Sequence, residues 1–120
     1  MELRRVVITG LGAITPIGNT VSEFWDALCK GVNGAGPITR FDSSKFKTRI
    51  ACEVKNFDSL QFFDRKEARK LDLYEQFAII ASEQAIQDSK INRDNTDFNE
   101  VGVVFSSGIG GINSFYEEVS

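Results

Sequence analysis

Residues 6–8 are a β-branched run, Val6, Val7 and Ile8, stopped by Thr9-Gly10-Leu11-Gly12. The pattern predicts a strand buried on both faces, the kind found in parallel sheets of α/β proteins. Residues 13–19 hold Pro16 and Gly18 and read as a loop. Thr20 followed by Glu23 is a capping box, and Phe24, Trp25, Ala27 and Leu28 give helical spacing until Gly31, so a first helix is predicted over residues 21–30. From residue 32 to 63 the pattern weakens. Gly34, Gly36 and Pro37 signal a turn, Ile50, Cys52 and Val54 alternate as in a short strand, and the rest reads as a long excursion packed by phenylalanines. Loops of that length usually serve function or a partner.

Asp64 with Glu67 and Asp72 with Glu75 are two further capping pairs, so residues 65–90 form either one kinked helix or two consecutive ones. Leu73, Phe77, Ile80, Ala81 and Ala85 share a face, but Ala78, Ile79 and Ile86 extend the apolar surface nearly all round, as in a helix buried inside a larger body. Residues 91–99 form a polar linker. Residues 101–105 read as a second strand, 106–111 as a glycine-rich turn, and 112–119 as the beginning of another helix. Two strands and an apolar helix need more surrounding sheet and helix than 120 residues supply, so the chain reads as the front part of a larger domain.

Composition narrows the chemistry. Fourteen basic and seventeen acidic side chains leave a formal charge of −3, which argues against a nucleic-acid partner. No apolar run reaches the length of a membrane span, and Gly10 and Gly12 break the only stretch resembling a signal peptide, so no membrane partner is expected. The chain has no histidine, which excludes any Ser-His-Asp, Cys-His or His-zinc site built from these residues alone. Cys29 and Cys52 lack a histidine base and read as reduced structural thiols of a cytoplasmic protein.

Three motifs are candidates for binding. Gly10 and Gly12 after a strand suggest a dinucleotide turn, but the third glycine of that fingerprint is replaced by Thr15 and Pro16 stands where its helix should begin. The competing reading is a tight exit from the strand. Ser106-Ser107-Gly108-Ile109-Gly110-Gly111 lacks the lysine of a phosphate loop. Its bulky Ile109, framed by glycines, is either core filler or the lining of an apolar pocket at a strand's carboxyl end. Arg65, Lys66, Arg69 and Lys70 gather four cations in the predicted first turns of a helix, where they face its positive pole at a local cost. They form either a solvated face or a surface for an acidic partner.

Taken in order, Arg4-Arg5-Val6-Val7-Ile8-Thr9-Gly10-Leu11-Gly12, Thr15-Pro16-Ile17-Gly18-Asn19-Thr20, Phe24-Trp25-Asp26-Ala27-Leu28, Phe41-Asp42 with Phe46, Asp64-Arg65-Lys66-Glu67-Ala68-Arg69-Lys70 and Ser107-Gly108-Ile109-Gly110-Gly111 resemble the opening of β-ketoacyl-[acyl carrier protein] synthases. The isoleucine in the glycine turn favours the type II form over type I. The resemblance implies the N-terminal part of a thiolase-like layered αβαβα fold, residues 1–120 being an incomplete portion of its first half. It implies a cytoplasmic homodimer that needs no cofactor and extends fatty acids by decarboxylative Claisen condensation with malonyl-carrier protein. The catalytic cysteine and two histidines of such an enzyme fall beyond Ser120. What the resemblance assigns within the chain is Ile109, to an acyl pocket near the dimer interface, and Lys66, Arg69 and Lys70, to docking of the acidic acyl carrier protein. A nucleotide-binding α/β fragment and a non-catalytic interaction module are the competing readings.

Overall fold

The computed structural model describes residues 4–120, which form two compact units. One comprises residues 13–58 and the other joins residues 4–12 to residues 59–120.

In the unit of residues 13–58, α1 spans Val21–Cys29. Thr20 caps it as its sequence dictates, its hydroxyl accepting the Glu23 amide at 3.2 Å. The Glu23 carboxylate reaches back to the Asn19 amide at 2.8 Å, one residue before the usual capping-box partner. The helix ends at Lys30 and Gly31, as the spacing predicts, and buries Ala27. Two short strands follow, β1 at Gly36–Pro37 and β2 at Ile50–Ala51, paired antiparallel with Gly36 opposite Ala51. The expected turn at Gly36 and Pro37 is therefore strand, and the alternating strand expected at 50–54 stops after Ala51. Beyond the pairing the ladder gives way to side-chain clips. The Thr39 hydroxyl donates to Glu53 at 2.6 Å, while Phe41 and Phe46 meet edge to face at 5.5 Å.

The second unit is organised by helices. A 3-10 turn at Ser59–Gln61 leads to α2, Arg65–Ala68, and then to α3, Leu73–Ser89. Residues 65–90 thus resolve into two helices. Asp64 caps the first, its Oδ1 accepting the amides of Lys66 and Glu67 at 2.7 and 2.8 Å. Asp72 opens the second with a full capping box, its own amide donating to Glu75 at 2.8 Å. A polar stretch after α3 includes a 3-10 turn at Phe98–Glu100, with Arg93 over the Phe98 ring, and α4 closes the unit at Ile112–Val119.

Gly10 and Gly12 lie against α3. A Cβ on Gly12 would overlap the Ala81 carbonyl and stand 3.0 Å from the Ala85 nitrogen, and one on Gly10 would meet the Ala85 carbonyl and Ser89. The Leu11 amide between them donates to the Asp88 carboxylate at 2.9 Å. The small residues Ala81 and Ala85, one turn apart, let the glycine segment run along the helix backbone.

Two expectations about burial are not met within the described residues. The runs at 6–8 and 101–105 have no place in the sheet formed by the described residues, and Val6, Ile8, Val103 and Val104 are each more than 80% exposed. A strand exists only through hydrogen bonds to a neighbour, and neither run has one among the described residues. Among the described residues α3 is likewise not enclosed. Ile80 is 2% exposed on its inner face, whereas Ile79 and Ile86 on the outer face are 43% and 50% exposed.

Candidate functional site

The four cations of residues 65–70 are all exposed. Because α2 is only one turn long, Arg69 is its C-cap and Lys70 follows it. Both stand at the carbonyl end of the helix, not in the first turns of a long one. Cations are favoured at that end, so the local cost expected from the sequence is absent for Arg69 and Lys70, while Arg65 and Lys66 keep the first two positions of the helix. The chain then turns through residues 69–72 into α3. Gln76, 6% exposed, closes this elbow by donating from Nε2 to the carbonyls of Ala68 at 3.0 Å and Leu71 at 2.9 Å.

The glycine-rich turn is anchored at the other side of the same elbow. The Ser107 hydroxyl accepts the Gly110 amide at 3.1 Å, placing Ile109 near the apex of a closed turn. Gly110 takes φ +81°, a left-handed conformation that favours glycine. A Cβ built there would lie 3.8 Å from the Tyr74 ring. At Gly111 a Cβ would overlap the Asp72 carboxylate, and the Ser114 hydroxyl in the first turn of α4 donates to Asp72 Oδ1. Asp72 thereby starts α3 and holds the start of α4. Around it opens a cleft of about 260 Å³ lined by residues that include Asp72, Tyr74, Gly111 and Glu117. The neighbouring Glu75 carboxylate raises the Tyr74 hydroxyl above the usual phenol range, so tyrosine there stays protonated at neutral pH.

The structure thus brings the basic segment and the glycine-rich turn to one elbow, with Lys70 two residues before Asp72. Ile109 itself is 79% exposed and is not among the residues lining the cleft. The residue that sequence reasoning missed is Gln76. Its signal was present, since Leu73, Gln76 and Ile80 follow helical spacing on one face and a polar side chain interrupts that apolar stripe.

The glycine turn at residues 10–12 does not suit a pyrophosphate. Its central amide is taken by the Asp88 carboxylate, and the α3 backbone occupies the face the glycines leave open. The glycines serve close packing of backbone on helix instead. Cys29 and Cys52 are free and exposed, so neither fills the core as structural thiols would. No described helix is long and apolar enough to cross a membrane.

Residues 3–120 match the family model described as "Beta-ketoacyl synthase, N-terminal domain". Among curated proteins the chain is 53% identical over 112 residues to a 3-oxoacyl-[acyl-carrier-protein] synthase 2 of Synechocystis sp.. It is 51% identical to the protein of that name in Coxiella burnetii and 43% identical to that of Staphylococcus aureus. In each case the match covers 93% of this chain and 27% of the relative, so the chain spans about a quarter of the length of the relatives it matches. Among solved structures, the ishigamide ketosynthase/chain length factor superposes with a TM-score of 0.67 at 37% identity, over 77% of this chain and 23% of the other. A type II PKS acyl-carrier protein in complex with its ketosynthase bound to the hexaketide gives a TM-score of 0.58 at 26% identity, over 80% and 24%. These likenesses establish the thiolase-like α/β fold.

Proposed function

The chain belongs to the β-ketoacyl synthase family through its N-terminal domain, and on that premise we propose that it is the front portion of the first half of a condensing enzyme that elongates fatty acyl chains. In this reading an acyl group passes from carrier protein to a cysteine thiolate, malonyl-carrier protein loses CO₂, and the carbanion left behind attacks the acyl thioester. The thiolate leaves as the new carbon–carbon bond forms and is free for the next turnover. Such a thiolate serves as both nucleophile and leaving group, and the oxyanion formed in each step needs aimed donors. The chain holds no histidine, so any histidine that serves decarboxylation or the oxyanion comes from the remainder of the full-length enzyme, where the family resemblance also puts the cysteine. The enzyme works as a cytoplasmic homodimer.

Within these residues the roles are recognition and shape. Lys66, Arg69 and Lys70 dock the acidic carrier protein, and Ile109 lines the acyl pocket close to the dimer interface. The observation that carries the docking role is the exposed, one-turn basic segment in a chain of net charge −3. A local cluster of one sign against the overall balance steers a partner of the opposite sign. The relation to 3-oxoacyl-[acyl-carrier-protein] synthases supports a carrier protein as that partner.

The experiment is triple charge reversal, Lys66→Glu with Arg69→Glu and Lys70→Glu, in the full-length enzyme, with carrier-protein affinity measured at two salt concentrations. Loss of three exposed pairs is expected to weaken binding by about tenfold or more at low ionic strength, with the gap narrowing as salt rises. Affinity unchanged at low salt overturns the docking role.

A further inference from the structure

We infer that Gln76 is a positioning residue for partner docking: its buried amide fixes the backbone on both sides of Arg69 and Lys70. The inference rests on the reading of that segment as the carrier-protein surface. A helix of four residues cannot hold its own shape, because nucleating one turn fixes several dihedrals for a single hydrogen bond. Its last carbonyls have no partners within the helix. The Glu67 carbonyl accepts the amides of Lys70 and Leu71, and Gln76 supplies the partner of the last one, Ala68, from outside. The carbonyl of Ala68 precedes the two cations and that of Leu71 follows them, and a single Nε2 holds both, at 3.0 and 2.9 Å.

The amide can face only one way. Both neighbours are carbonyl acceptors, so the nitrogen must point at them, and the oxygen is turned inward. That oxygen is buried and accepts no hydrogen bond among the described residues. An apolar side chain would avoid the unmet acceptor, and a glutamine is present all the same. Its contribution therefore lies in the two donated bonds, which tie the basic segment to a 17-residue helix whose next turn buries Ile80. Fixing the backbone beneath flexible cationic side chains reduces the ordering that docking must impose.

The test uses the full-length enzyme and compares one acyl group carried on the carrier protein with the same acyl group on free pantetheine. Gln76→Met keeps the length and volume of the side chain while removing both donors. The KM for the carrier-bound substrate is expected to rise about fivefold, while kcat and the KM for acyl-pantetheine stay within about twofold. Equal losses on both substrates, or no loss on either, overturn the inference. Should Gln76→Met not fold, Gln76→Asn is used instead. It keeps the donor but is one methylene too short to span both carbonyls, and the same selective rise is required of it. The charge-reversed enzyme separates the two layers of argument. If charge reversal leaves the carrier KM unchanged, the docking reading fails; if it raises that KM and the Gln76 variants do not, only the role of Gln76 fails.

Discussion

Substituting Gly12 by alanine probes the packing that replaces a nucleotide site at residues 10–12. The added methyl would overlap the Ala81 carbonyl oxygen and lie 2.8 Å from its carbon and 3.0 Å from the Ala85 nitrogen. Carbon atoms in contact prefer about 3.5–4.0 Å, and the carbonyl oxygen is closer still, so the segment or the helix must move by more than about 1 Å. All three obstacles are helix backbone, which cannot rotate aside like a side chain. Overpacking of this kind costs about 2–3 kcal/mol. Misplacing the Leu11 amide relative to Asp88 adds about 0.5–1 kcal/mol. The stiffer unfolded chain returns about 0.4–1 kcal/mol. The net loss is about 2.5 kcal/mol, which at a urea slope near 2 kcal/mol/M lowers the unfolding midpoint by about 1 M. Gly36→Ala is the control, because a Cβ there meets nothing within 4 Å. It is expected to move the midpoint by no more than about 0.3 M, the usual range for an unobstructed surface change. Equal midpoints for the two variants in urea titrations followed by circular dichroism would refute the close-packing account.

Two further outcomes are expected. Ile109→Phe in the full-length enzyme enlarges the side chain in the proposed acyl pocket and should favour shorter products, costing long-chain substrates about tenfold in kcat/KM; an unchanged product distribution would return Ile109 to a surface role. Glu53 titrates below the ordinary carboxylate range chiefly because the Thr39 hydroxyl, and then the Thr39 amide, donate to its charged form. A folded-state value below the unfolded one means stability present above the unfolded value and lost as pH falls through the folded one. Thr39→Val should move the Glu53 titration back up in a carboxyl-carbon NMR titration, and an unmoved curve would count against the clip.

Helix boundaries were legible because their signals are local. Thr20, Asp64 and Asp72 each cap within three residues, so position in the chain alone identifies them. The runs at 6–8 and 101–105 carry equally strong local signals and still find no partner among the described residues, because pairing depends on a neighbour that a periodic pattern cannot supply. Gly10 and Gly12 were visible as exceptions, but their reason was not. It lies in Ala81 and Ala85, some 70 positions away, and in the carboxylate of Asp88. For the candidate site, the basic cluster was plain in the sequence, whereas the position of Arg69 at a carbonyl end required knowing that α2 stops after one turn. Gln76 could have been noticed as a polar interruption of an apolar stripe, yet its two acceptors belong to a bend that only the folded chain defines.

The shared carboxylate of Asp72 also orders events in time. The capping box in which it takes part with Glu75 closes across three residues, whereas its bond with Ser114 spans 42. On a loop-closure entropy of (3/2)RT ln n, the two differ by roughly 2.3 kcal/mol, or about a fiftyfold difference in how often a flexible chain brings the partners together. The start of α3 can assemble from its own neighbourhood, while α4 gains its anchor only after the intervening chain has closed. The turn that carries Ile109 is thus fastened by the more conditional of the two bonds, and the end of α2 and the start of α3 form the foundation on which it settles.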